Sequence, residues 1–161
     1  MKLKPLSKSY PDDLCHLQFY ADEEEYEMSI SLFDRCNLNC RFCFEKHNGT
    51  IDIKYIEDLP YLLAEKFKTV IEEYKNIKVL NLRIWGGELF FDALDDSIFQ
   101  LYFGFVDKTC MLFESQFSSV KLKYSWLSNG VFTRYDRVEK LLNHSNGAIS
   151  FSYDPVDRFS C

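Results

Sequence analysis

Apolar residues in this chain repeat with two different periods that take turns along its length, and that alternation restricts the folds open to it. Tyr26 to Phe33 (YEMSISLF) alternates apolar with polar side chains, the pattern of a half-buried strand. Asp58-Leu59-Pro60 then opens a helix, since proline suits a first turn, and Leu63, Phe67, Val70, Ile71 and Tyr74 recur at helical spacing. Ile77 to Trp85 reads as a second strand, bounded at once by Gly86-Gly87. A helical stretch follows with Ile98, Leu101, Tyr102 and Phe105 on one side and Gly104 weakening its middle. Val120, Leu122, Tyr124 and Trp126 alternate with polar residues in a third strand that ends at Ser128-Asn129-Gly130. Thr133 caps a short helix whose apolar face is Tyr135, Val138, Leu141 and Leu142. Asn146-Gly147 closes it, and Ala148 to Tyr153 makes a fourth strand ending at Asp154-Pro155.

Strands that alternate with helices imply βαβ units and a parallel sheet, so the fold class is α/β. In such a sheet the C-terminal ends of all strands lie on one edge, where α/β folds bind ligands. The chemically distinctive residues collect at those ends. Cysteines follow the first strand, Gly86-Gly87-Glu88 the second, Ser128-Asn129-Gly130 the third, and Ser152 to Asp154 lie at the fourth. Residues 1–25 form a polar lead-in whose acidic run, Asp22 to Glu25, reads as a solvated face, and residues 26–161 form the core unit.

Composition removes several classes. At 161 residues the chain has the size of one domain, and its fifteen Phe and ten Tyr indicate a large packed core. A net charge of -6 argues against a nucleic-acid binder that relies on a basic face. No apolar run approaches the roughly 18–20 residues that cross a bilayer. The basic start has no apolar stretch behind it and so is not a secretory signal; a cytoplasmic protein is expected, with no membrane partner.

Six cysteines stand at positions 15, 36, 40, 43, 110 and 161. Cys15, Cys110 and Cys161 are scattered, and buried thiols are their ordinary explanation. Cys36, Cys40 and Cys43 sit together in one short loop, which points to a metal or cluster site rather than to disulfides. Thiolates suit zinc or an iron–sulfur cluster. His47 could complete a zinc site, but the spacing is not a familiar zinc pattern, and a cluster held by three cysteines leaves one iron open to a small molecule.

CNLNCRFC at 36–43, with Phe42 before the last cysteine, resembles the signature of the radical S-adenosylmethionine (SAM) superfamily. WGGELF at 85–90 is similar to its Gly-Gly-Glu-Pro motif, with Leu89 in place of the common Pro. LSNG and SFSYDP resemble its later strand ends, with Pro155 where Gly is frequent. The sequence around the cysteines is similar to the subgroup that modifies peptides and proteins. The resemblance implies a partial (β/α) barrel, about four βα units of the usual six. It implies that Cys36, Cys40 and Cys43 hold a [4Fe-4S] cluster whose open iron is chelated by SAM. Gly86 and Gly87 would approach the methionine portion, and with Glu88 would take the hydrogen bonds of its ammonium. Phe42 would lie against the adenine, and Ser152 would touch the carboxylate or ribose with Asn129 nearby. The activity implied is that of an oxidoreductase: reductive cleavage of SAM to a 5′-deoxyadenosyl radical, which abstracts hydrogen from a substrate such as a peptide or protein. An external electron donor is an implied partner, and four units of the usual six imply a minimal form, a fragment, or one part of an assembly whose partner subunit completes the barrel.

Each of these residues alone has a plainer reading: Gly86-Gly87 and Asn129-Gly130 as turns, Glu88 as an early-helix carboxylate, Phe42 as core. Their joint placement at successive strand ends favours the site. Two other functions compete with the substrate-modifying enzyme. One is a compact activase that installs a glycyl radical on a partner enzyme. The other is a non-catalytic cluster- or zinc-carrying module that docks to a partner.

Overall fold

A computed structural model of the chain describes residues 18–21, 24–40, 43 and 51–152. Five strands form one sheet in the order β1-β2-β3-β4-β5. These are β1 (Gln18–Ala21), β2 (Glu25–Ser31), β3 (Val79–Trp85), β4 (Lys121–Ser128) and β5 (Ala148–Phe151). The helices are α1 (Ile53–Glu73), α2 (Asp96–Gln116) and α3 (Tyr135–Ser145). From β2 to β5 all neighbours are parallel, with Met28 level with Leu82, and Leu82 level with Tyr124. This is a mixed α/β architecture whose four parallel strands alternate with helices, as in a partial β/α barrel.

Alternation along each strand separates two faces. Tyr26, Met28 and Ile30 on β2, Leu80, Leu82 and Ile84 on β3, and Tyr124 and Trp126 on β4 are all buried, in one apolar cluster with the helices. Helix α1 contributes Ile56, Leu59, Leu63 and Phe67, and α2 contributes Phe99, Tyr102, Phe105 and Phe113. Each such side chain contributes about 1.5–3 kcal/mol by leaving water. Aromatic rings account for much of the contact: Phe67 meets Phe113 at 5.3 Å and Phe117 at 5.2 Å between centroids. The opposite face of the sheet is polar. There Glu27 faces Arg83 and Asn81, and Lys123 pairs with Glu25 across β3.

Several local features differ from expectation. Helix α1 opens at Ile53, not at Asp58, because the Asp52 side chain accepts from Tyr55 N at 3.0 Å and caps it. Pro60 therefore lies inside the helix; it is buried between Leu59 and Leu63, and packing of this face outweighs the missing N–H. Thr133 does not cap α3. Its own N–H and hydroxyl donate to Asp92, as does Arg134 N, so a carboxylate from another segment holds the turn before the helix. Tyr135, expected on the apolar face of α3, is 67% exposed because it begins the helix, while Val138 and Leu141 are buried. The lead-in contains β1, which pairs antiparallel with β2. Part of its acidic run is paired rather than merely solvated, since Glu24 meets Lys78 and Glu25 meets Lys123. Tyr153 to Pro155, the expected end of the fourth strand, lie outside the described residues, as do Cys15, His47 and Cys161. No helix among the described residues is long and apolar enough to cross a membrane.

Candidate functional site

The C-terminal edge of the parallel strands is knitted together by backbone pairing that continues past the strands themselves. Leu32 N donates to Trp85 O at 2.9 Å, Gly87 N to Phe33 O at 2.8 Å and Glu88 N to Arg35 O at 3.0 Å. The segment after β3 therefore lies directly on the segment that leads from β2 into Cys36. A Cβ added at Gly87 would stand 2.2 Å from Arg35 O and 2.7 Å from Asp34 O, and one at Gly86 would stand 2.7 Å from Phe33 O. Only glycines permit this approach of backbone to backbone. Their place in the fold is thus explained by what they touch within the chain, before any ligand is considered.

Glu88 is fully buried at this junction. Its Oε1 accepts from Ser128 Oγ at 2.8 Å and from Phe90 N at 3.0 Å, and its Oε2 accepts from Asn129 N at 2.5 Å. Ser128 Oγ in turn accepts from Gly130 N at 3.0 Å. One carboxylate thereby holds the end of β4 to the end of β3, with charge-assisted bonds that suit a buried anion. Burial pushes the Tyr102 hydroxyl well above its ordinary range, and the charge of Glu88 adds to that.

Asn129 carries the network on to the cysteine loop. Its Oδ1 accepts from Val131 N at 2.8 Å, which turns its Nδ2 toward Asn37 Oδ1 at 2.8 Å and Cys36 Sγ at 3.7 Å. Asn37 is oriented the same way, since its Nδ2 donates to Val131 O at 2.7 Å. Two backbone groups of one residue thus define both amide orientations. Ser152 N donates to Ser128 O at 2.8 Å, which brings the end of β5 to the same place.

None of the four described cysteines is in a disulfide. Cys36 Sγ accepts from Leu38 N at 3.4 Å as well as from Asn129. Burial pushes the Cys36 thiol up, and the charges of Glu88 and Cys43 add to this, while the Leu38 and Asn129 donors oppose it. Cys43 N donates to Cys40 O at 3.1 Å, folding those two cysteines into one turn. Among the described residues no three His, Cys, Asp or Glu side chains converge as a ready metal-ion site. The donor set fits an iron–sulfur cluster on its chemistry: three thiols in one loop, with two N–H groups aimed at the first sulfur.

Of the residues singled out in the sequence, Cys36, Gly86, Gly87, Glu88, Asn129 and Ser152 thus meet in one bonded cluster, with Cys40 and Cys43 in the adjoining turn. Phe42 lies outside the described residues. Sequence reasoning missed Asn37, which stands inside the cysteine spacing and reads there as a spacer, and Asp92, whose partners are 41 and 42 residues away. His144 meets Asp107 at 2.7 Å on the helix layer, away from this edge. A cavity of about 440 Å³ lined by Glu24, Lys75, Lys78 and Ser119 opens at the other edge of the sheet and shares no residue with the site.

No family model matches the chain, and no solved structure does. Two curated proteins are similar to part of it: the GTP 3',8-cyclases of Clostridium perfringens strain SM101 / Type A and strain 13 / Type A. Each is 34% identical over 70 residues, a stretch that covers 43% of this chain and 20% of the relative. That partial match supports a relationship to the radical SAM superfamily.

Proposed function

We propose that the chain is a radical SAM protein in which Cys36, Cys40 and Cys43 hold a [4Fe-4S] cluster and Phe42, Gly86, Gly87, Asn129 and Ser152 surround SAM, with the buried Glu88 behind them. The bound pair supplies reductive cleavage of SAM to methionine and a 5′-deoxyadenosyl radical, which takes hydrogen from a peptide or protein substrate. The observation that carries this reading is the bonded cluster that joins the loop of three cysteines to the segments after β3 and β4. Three thiols with one iron left open are what SAM chelation requires.

Each part of the chain then has a task. Gly86 and Gly87 let the segment after β3 lie flat on the segment before Cys36, which places their backbone beside the cysteine loop. Leu38 N and Asn129 Nδ2 donate to the Cys36 sulfur and favour its thiolate form. Ser152, tied through its backbone to Ser128, offers a hydroxyl at the same edge. An external reductant delivers the electron.

Anaerobic reconstitution with iron and sulfide is expected to give a brown protein that releases 5′-deoxyadenosine from SAM when reduced. A colourless protein holding one zinc per chain overturns the proposal. The name of the matched relatives favours a second reading of the substrate, a purine nucleoside triphosphate. Stimulation of 5′-deoxyadenosine release by GTP, and not by candidate peptides, would select it.

A further inference from the structure

The Glu88 carboxylate is fully buried, and the backbone N–H of Asn129 and the hydroxyl of Ser128 both donate to it. We infer that Glu88 is a positioning residue: it fixes the turn after β4 so that the Asn129 side-chain amide donates to the Cys36 sulfur, and through Asn129 it sets the reduction potential of the group those cysteines hold. The inference rests on the cluster reading above and deepens it.

Geometry supports each link. Asn129 N sits 2.5 Å from Glu88 Oε2, so the backbone of Asn129 is anchored at its start. The adjoining Ser128 is anchored to Oε1 at 2.8 Å, and its oxygen takes Gly130 N at 3.0 Å, so the residues on both sides of Asn129 are held as well. With that backbone fixed, Val131 N occupies the amide oxygen of Asn129 and leaves Nδ2 to face Cys36 Sγ and Asn37 Oδ1. The carboxylate oxygens are both engaged inside the protein, which suits a clamp.

The consequence for the sulfur follows from charge. An N–H group aimed at a thiolate stabilises the more negative, reduced cluster more than the oxidised one, so its loss lowers the potential. Glutamine at position 88 keeps the shape but presents an NH₂ where one carboxylate oxygen stood. That NH₂ donates and cannot accept, so either Asn129 N on one side or Ser128 Oγ and Phe90 N on the other lose their acceptor, and the turn after β4 loses an anchor.

Two measurements on the 161-residue chain test this. The first is amide hydrogen exchange in the metal-free protein. Glu88→Gln is expected to speed exchange at residue 129 by about tenfold or more, the loss of one charge-assisted bond. The second is a redox titration of the reconstituted cluster without SAM, followed by electron paramagnetic resonance. Asn129→Ala and Glu88→Gln are both expected to lower the ratio of reduced to oxidised cluster at fixed poise by about tenfold, equivalent to about 59 mV for one electron. The inference is overturned if residue 129 exchanges alike in Glu88→Gln and wild type. It is also overturned if Asn129→Ala shifts the potential and Glu88→Gln does not. Lost SAM affinity in Glu88→Gln with an unshifted potential would overturn it in favour of a direct contact to SAM. Should Glu88→Gln lose protection throughout the chain, Ser128→Ala decides instead: faster exchange at Gly130 with a smaller shift of the same sign supports the clamp, and neither refutes it. A wild-type chain that takes up no cluster defeats the functional reading alone, and the exchange measurement still decides the clamp.

Discussion

Replacing Gly87 by alanine isolates the contact on which the candidate site is built. The added methyl group would lie 2.2 Å from Arg35 O and 2.4 Å from Arg35 C, both backbone atoms that no side-chain rotation can move. Ordinary contact requires roughly 1 Å more, so one of the two segments must retreat by about that distance in a close-packed interior. Retreat breaks the Gly87 N to Phe33 O and Glu88 N to Arg35 O bonds, at 2.8 and 3.0 Å. Two hydrogen bonds at about 1 kcal/mol each, with about 1–3 kcal/mol for overpacking, give an expected loss of about 3–5 kcal/mol. Urea denaturation followed by tryptophan fluorescence reads this, because Trp126 lies in the core. Gly104→Ala is the internal comparison: nothing stands within 4 Å of the added carbon, and removing a mid-helix glycine should stabilise by about 0.5–1 kcal/mol. A Gly87→Ala chain within about 1 kcal/mol of wild type would refute the reasoning, since the segments would then not be in contact.

Cys40→Ala should abolish cluster uptake on reconstitution, read as lost colour and iron content, while leaving the urea midpoint unchanged. Trp126→Phe should cost about 2–3 kcal/mol in urea denaturation followed by far-ultraviolet circular dichroism, because it removes the indole N–H bond to Ser145 Oγ at 3.2 Å and opens space in a fully buried site. Asp92→Ala should lower stability in a way that depends on pH. The Thr133 and Arg134 donors hold the Asp92 carboxyl below its usual range, so its contribution is present above the unfolded value and is lost as pH falls through the folded value. Urea midpoints of the wild type and Asp92→Ala should differ by a constant amount from neutral pH to about pH 5 and converge below about pH 4.

The parallel strands were legible because each carries one apolar and one polar face; Leu80, Leu82 and Ile84 announce β3 by spacing alone. Helix α1 was legible along its stripe but not at its start. Pro60 suggested a first turn, and only the tertiary burial of Leu59, Pro60 and Leu63 keeps it mid-helix. Strand β1 has four residues and exists through its antiparallel pairing with the adjacent β2, and so short a run carries no clear periodic signal. At the site, Gly86, Gly87, Glu88 and Asn129 could be picked out by their places at strand ends. Their bonds could not. The contact that makes glycine necessary at 87 is with Arg35, far away in sequence, and the partners that tie Glu88 to the end of β4 are 40 and 41 residues distant. Asn37 was hidden for the opposite reason, since a residue between two cysteines looks like a spacer until its amide is seen to meet Asn129.

The central claim is that three thiolates of one loop hold an iron–sulfur cluster with an iron open to SAM. Electron paramagnetic resonance of the reduced, reconstituted chain, recorded with and without SAM, tests it most directly. The expected result is a cluster signal that requires Cys36, Cys40 and Cys43 and changes when SAM is added. A chain that binds zinc in place of iron, or a cluster signal that SAM leaves unaltered, would contradict it.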